Sequence, residues 1–225
     1  MDINKSIDEL RKPATQVVSL FALLMILLSS VTLFNGLDYD RLPNYLKLIT
    51  IIELVLIFMS LLQFFRFINF EKDSYKNKKT LKRYAKFLTA INVIGTFNAA
   101  FAFSNVFYYI AVQNYVDLYH YWLLSTISMI VCLVLLSIGA ILMYIEMPKV
   151  ERYVSGKTKT LIGIGLVFLS FLLYLERVVE YFLVPNIAES KFMVLGSILI
   201  LLGVYLVSFT WITKYADFKI LVLKE

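Results

Sequence analysis

The chain has 225 residues, of which 60% are hydrophobic and 17% charged, and its formal net charge is +6. Soluble domains run at about 45–50% apolar residues, so this chain lacks the polar residues to coat a water-exposed surface, and lipid is the expected solvent for most of it. The excess positive charge sits at the ends of apolar blocks, where membrane topology accounts for it, and no nucleic-acid partner is expected.

A helix needs about 20 apolar residues to cross a hydrocarbon layer of roughly 30 Å. Six blocks qualify, near 16–36, 46–68, 87–110, 121–145, 160–184 and 192–212. They are too long and too continuously apolar for transmembrane strands, which alternate over short segments. The expected fold is an all-α integral membrane bundle of six transmembrane helices, arranged as three helical hairpins in a single polytopic domain over 1–225. The hairpins turn at 37–45, 111–120 and 185–191, and no residue-level repeat relates them.

The segment Met1–Thr15 is polar and mixed in charge. It lacks the pattern of a cleaved signal peptide, so the block after it reads as a retained first span. Asp38 and Asp40, in the first turn, read as a solvated loop. The second span carries Glu53 in an otherwise apolar run. The connection after it is rich in lysine and reads as a short cytoplasmic helix over 69–86. Its Lys76, Lys78, Lys79, Lys82 and Arg83 are candidates for contact with anionic lipid headgroups.

In the third span Asn98 falls near the midplane, with Asn105 two turns on. Both are candidates for polar packing or for lining a cavity. Gly95, Ala99 and Ala102 offer small surfaces for close helix approach. Tyr108, Tyr109, Tyr115, Tyr119, Tyr121 and Trp122 flank the third and fourth spans and read as an interfacial aromatic belt, with His120 among them.

Cys132, in the fourth span, is the single cysteine, and His120 is the single histidine. That inventory argues against haem b, iron–sulfur clusters, a thiol relay and a His/Cys zinc site. No cofactor is expected, and carboxylate-only metal binding stays open. The fifth span holds Glu176, Arg177 and Glu180 near its outer end. Glu53 and Arg177 both fall roughly 6–8 Å outside the midplane at 1.5 Å rise per residue. They are expected to pair across the bundle. Counted as ionised, the four groups sum to −2, which a dry interior does not tolerate; a proton, a cation or water must be reckoned with. Gly196 and Gly203 share a face of the sixth span and read as packing or an oligomer seam.

About eighteen basic residues fall on the side of the termini and about three on the other. The positive-inside rule then places both termini in the cytoplasm. All four prolines lie at block ends, so no helix is broken in the way many transporter sites require. No nucleophile motif, phosphate loop or metal-ligand spacing is present. Two functions fit. One is a non-catalytic interaction or accessory subunit of a membrane complex, with other subunits or a second copy as partner. The alternative is a small transporter or channel handling protons or cations at Glu53, Glu176, Arg177 and Glu180.

Overall fold

The computed structural model describes residues 3–34, 42–64 and 78–224, and among these every regular element is a helix. The elements are α1 (Ile3–Leu10), α2 (Ala14–Phe34), α3 (Asn44–Phe64), α4 (Lys78–Gln113), α5 (Tyr119–Tyr144), α6 (Pro148–Glu151), α7 (Gly156–Leu183) and α8 (Ala188–Lys224). Six of them are long and apolar enough to cross a membrane. The all-α expectation holds, and the six long helices match the six apolar blocks.

Two helices are longer than their apolar blocks. α4 has 36 residues and α8 has 37, where about 20 suffice for a crossing. The lysine-rich stretch from Lys78 to Lys86 does not form a separate helix but continues directly into α4. Residues 65–77, including Lys76, lie outside the described residues.

Helix α1 packs against these extensions. Ile3, Ile7 and Leu10 lie on one face and are buried, while Lys5 and Asp8 are exposed. They join Leu81, Ala85 and Leu88 of α4 and Phe218 and Val222 of α8 in one apolar cluster. Asn92 Nδ2 donates to the Leu10 carbonyl at 2.9 Å, which satisfies an acceptor left open at the helix end. Arg11 Nε donates to the Tyr84 hydroxyl at 3.1 Å. The amino-terminal segment is therefore a docked amphipathic helix, a step before the first long helix.

The broadest packing, of α4 on α8, joins helices far apart in sequence. α4 packs chiefly on α8 and α2, and α5 packs on α7. Most of α4 is buried and little of α7 is, so α4 is the hub and α7 lies on the rim. On the α2–α4 seam, a Cβ added at Gly95 would stand 3.0 Å from Thr15 Cγ2. Small polar side chains pair beside it: Thr15 with Thr96 across α2–α4 at 3.3 Å, and Ser19 with Ser60 across α2–α3 at 2.9 Å. The α5–α7 seam closes at Gly139 and Gly163. A Cβ at either would stand under 3.0 Å from the other's carbonyl oxygen, at 2.8 and 2.7 Å. Gly196 faces the Phe103 ring, whereas Gly203 has nothing within 4 Å, so the two glycines do not share one packing role.

Between α5 and α7, the buried Lys159 donates to the Ile145 carbonyl at 3.1 Å and to Glu151 Oε1 at 2.5 Å. The Lys159 hydrogen bond, helped by one from the Met147 N–H, holds the Glu151 carboxyl below the usual carboxylate range. Ser155 caps α7 by accepting from the Thr158 N–H at 3.2 Å, the expected role of serine before a helix.

Candidate functional site

Glu53 is buried in the middle of α3. Its Oε1 accepts a hydrogen bond from Asn105 Nδ2 at 2.6 Å. Its backbone carbonyl accepts from Asn98 Nδ2 at 3.3 Å. Asn98 and Asn105 are two helical turns apart, so both side chains leave the same face of α4 and meet the same residue. Asn105 Oδ1 in turn accepts from Trp122 Nε1 of α5 at 2.6 Å. Carboxylate, amide and indole thus form a line from α3 across α4 to α5.

A second group centres on Arg177, which is completely buried in α7. Its Nη1 donates to Glu180 Oε2, one turn along the same helix. Its Nη2 donates to Ser125 Oγ of α5 at 2.6 Å and to Ser197 Oγ of α8 at 3.1 Å. Glu176 is half-buried and accepts from Ser128 Oγ at 3.2 Å. The hydroxyls of Ser104 and Ser125 stand 3.5 Å apart, so the two groups lie side by side at the α4–α5 contact.

The expected pair between Glu53 and Arg177 does not form. Equal depth along two helices leaves the direction around each axis open. α3 packs on α2 and α4, while α7 packs on α5 and α8. Glu53 therefore turns to Asn105, and Arg177 to Glu180. Among the described residues, three atoms of these two groups, Glu53 Oε2, Glu180 Oε1 and Arg177 Nε, are buried without a hydrogen-bond partner. Each such group costs about 1–3 kcal/mol, so a proton, a cation or a water molecule would be welcome at the two carboxylate oxygens, and a water or another acceptor at Arg177 Nε.

The aromatic side chains divide. Tyr115 and Tyr119 are exposed, whereas Tyr108, Tyr109 and Trp122 are buried. Trp122 stacks on Tyr108 with centroids 4.8 Å apart, and the Tyr108 hydroxyl meets that of Tyr45 at 2.7 Å. Tyr109 donates to the Leu46 carbonyl at 2.9 Å. Buried rings of this type need a partner for the polar end, and α3 and α4 supply it. Half of the expected interfacial belt is thus an internal cluster, joined to Glu53 through Trp122 and Asn105. His120 is exposed, edge-on to Tyr119. Cys132 is buried with its Sγ 3.6 Å from the Ser170 carbonyl. Lys79, Lys82 and Arg83 are exposed along the start of α4.

Ser125, Ser128 and Ser197 were not among the residues singled out from sequence, and Trp122 was read as an interfacial ring, not as a donor to Asn105. The available signal was the recurrence of serine at the depth of Arg177 in α4, α5 and α8. Replacing Trp122 by phenylalanine is expected to keep the ring stack and strand Asn105 Oδ1, lowering stability in detergent by about 1–3 kcal/mol. An unchanged thermal midpoint would remove the indole from the line.

The chain belongs to the family described as a domain of unknown function (DUF5079), which it matches over residues 4–225. The match takes in all six long helices and every residue of the two charged groups. No curated protein and no solved structure matches the chain.

Proposed function

We propose that this chain is a multi-pass membrane protein with both termini in the cytoplasm, acting as a non-catalytic interaction or accessory subunit of a membrane complex. The helices then form three hairpins turning on the outer side, within one polytopic domain. The observation that carries this reading is how the intramembrane charges are used. Arg177 is engaged by Glu180, Ser125 and Ser197, and Glu53 by Asn105. These contacts bind helices together inside the bundle. Outside it, α7 presents Phe168, Leu172, Val179 and Phe182, all exposed, as a face for lipid or for a helix of another subunit.

Photocrosslinkers placed at Phe168 and Leu172 in native membranes test the subunit role. A discrete protein adduct from α7, absent with the same probe at Leu24 of α2, is the expected result. Lipid adducts alone would reject it. Topology is checked on a Cys132→Ala background: cysteines at Lys78 and Lys157 should label only from the cytoplasm, and one at Asp117 only from outside. Labelling of the Asp117 position from the cytoplasm would invert the assignment.

One observation favours a second reading, proton or cation transport. Among the described residues Glu53 Oε2 and Glu180 Oε1 have no hydrogen-bond partner, and buried carboxylates in a span mark ion pathways by default. Flux driven by a pH or cation gradient in proteoliposomes, lost in Glu53→Gln, would select transport. A wild-type protein without flux selects the subunit role.

A further inference from the structure

We infer that the groove between α4, α5 and the end of α8 is a binding site for one anionic glycerophospholipid of the cytoplasmic leaflet, its acyl chain in the groove and its phosphate on Lys86. The inference rests on the membrane reading above. The groove holds about 420 Å³, within the roughly 300–1,000 Å³ of sites that take small molecules. Along α4 its wall is Lys86, Ala90 and Ile94; opposite stand Ser137 and Ile141 of α5, with Tyr215 of α8 near one end.

Three features select the occupant. Lys86, Ala90 and Ile94 are exposed, so the groove opens sideways from the bundle, where lipid chains and not water would meet it. Among the described residues Lys86 is the only charged side chain in the lining, and it stands at one end. Ile94 is eight residues on, about 12 Å along the helix, and the wall between is almost wholly apolar. A cation at one end of a long apolar slot fits an amphiphile with a single anionic head. Among the described residues none forms an ion pair or hydrogen bond with the Lys86 ammonium, so its charge is available. Further positive charge gathers at the same end. Lys82 is exposed one turn before Lys86. Lys219 donates to the Glu146 carbonyl, beside the lining residue Ile145, and lies within electrostatic reach of Lys82 and Lys159 and of the Glu146 and Glu151 carboxylates, so Lys86 and Lys82 carry the available charge.

The test is native mass spectrometry of the full chain in detergent, offered equal amounts of phosphatidylglycerol and phosphatidylcholine. Wild type should retain one phosphatidylglycerol with a preference of about fivefold, the effect of one lysine near a lipid phosphate. Lys86→Gln should bring the preference close to one while total bound lipid stays the same. Ala90→Trp, at an exposed position that tolerates bulk, should fill the groove and lower retention of both lipids. Lys82→Gln should have the smaller effect of a residue outside the lining. A preference unchanged in Lys86→Gln, or lipid retention unchanged in Ala90→Trp, overturns the site. Full competition by glycerol phosphate would also overturn it, because the site would then recognise phosphate without the chain. Extraction of the protein from membranes by alkaline carbonate would instead reject the membrane reading itself. Retention in the membrane pellet combined with unaltered variants would reject only the groove.

Discussion

Arg177→Gln is expected to lower the unfolding free energy by about 3–5 kcal/mol, the usual loss when one member of a buried ion pair is removed. Arg177 is completely buried, and Glu180 beside it is nearly so. Without the guanidinium, the Glu180 carboxylate has no counter-charge, and Ser125 and Ser197 lose their charged donor. Glu180→Gln alone should also destabilise, because the guanidinium is then buried unpaired. The double variant should recover much of either loss, since neutral groups need no compensation at that depth. Glu53→Gln should couple to Arg177→Gln by close to zero, as Glu53 has turned to Asn105. Double-mutant cycles from detergent-titrated unfolding give both coupling terms. Equal coupling of Arg177 to Glu53 and to Glu180 would show that the two charged groups act as one.

The second large effect is expected at the crossing of α5 and α7. Gly139→Ala and Gly163→Ala should each cost about 1–3 kcal/mol, the usual cost of overpacking. The added Cβ at Gly139 would meet Gly163 O and Val167 Cγ2, both at 2.8 Å; the one at Gly163 would meet Gly139 O and Met143 Cγ, both at 2.7 Å. The carbonyls belong to helix backbone, so no rotamer change relieves them and the helices must separate. Separation would also disturb the Ser170 hydroxyl, which donates to the Cys132 carbonyl at 3.2 Å across the same seam. The double variant should lose less than the sum, because one displacement relieves both clashes. Gly165→Ala is the control: nothing stands within 4 Å of its Cβ position, and alanine is the better helix former. A loss at Gly165 as large as that at Gly163 would mean that helix context, not close approach, governs this seam.

Lipid-scale hydropathy is additive along the chain, so the number of long helices and their approximate positions follow from the order of residues alone. The same holds for the all-helical class, since backbone groups in an apolar solvent must bond within their own segment. The ionisable residues Glu53, Glu176, Arg177 and Glu180 were visible for the same reason: each interrupts an apolar run. The amphipathic spacing of Ile3, Ile7 and Leu10 was also present in the sequence, but its partner surface was not. That surface exists only because α4 and α8 run on past their apolar blocks. Hydropathy does not register such extensions, since an i to i−4 hydrogen-bond ladder continues through lysines as readily as through leucines. What tertiary structure alone decided is the direction of each side chain around its helix axis. Depth follows from counting residues at 1.5 Å each, but azimuth depends on which helices are neighbours. With α4 at the hub and α7 on the rim, Glu53 meets Asn105, Arg177 meets Glu180, and Trp122 turns inward to Asn105 instead of out to an interface.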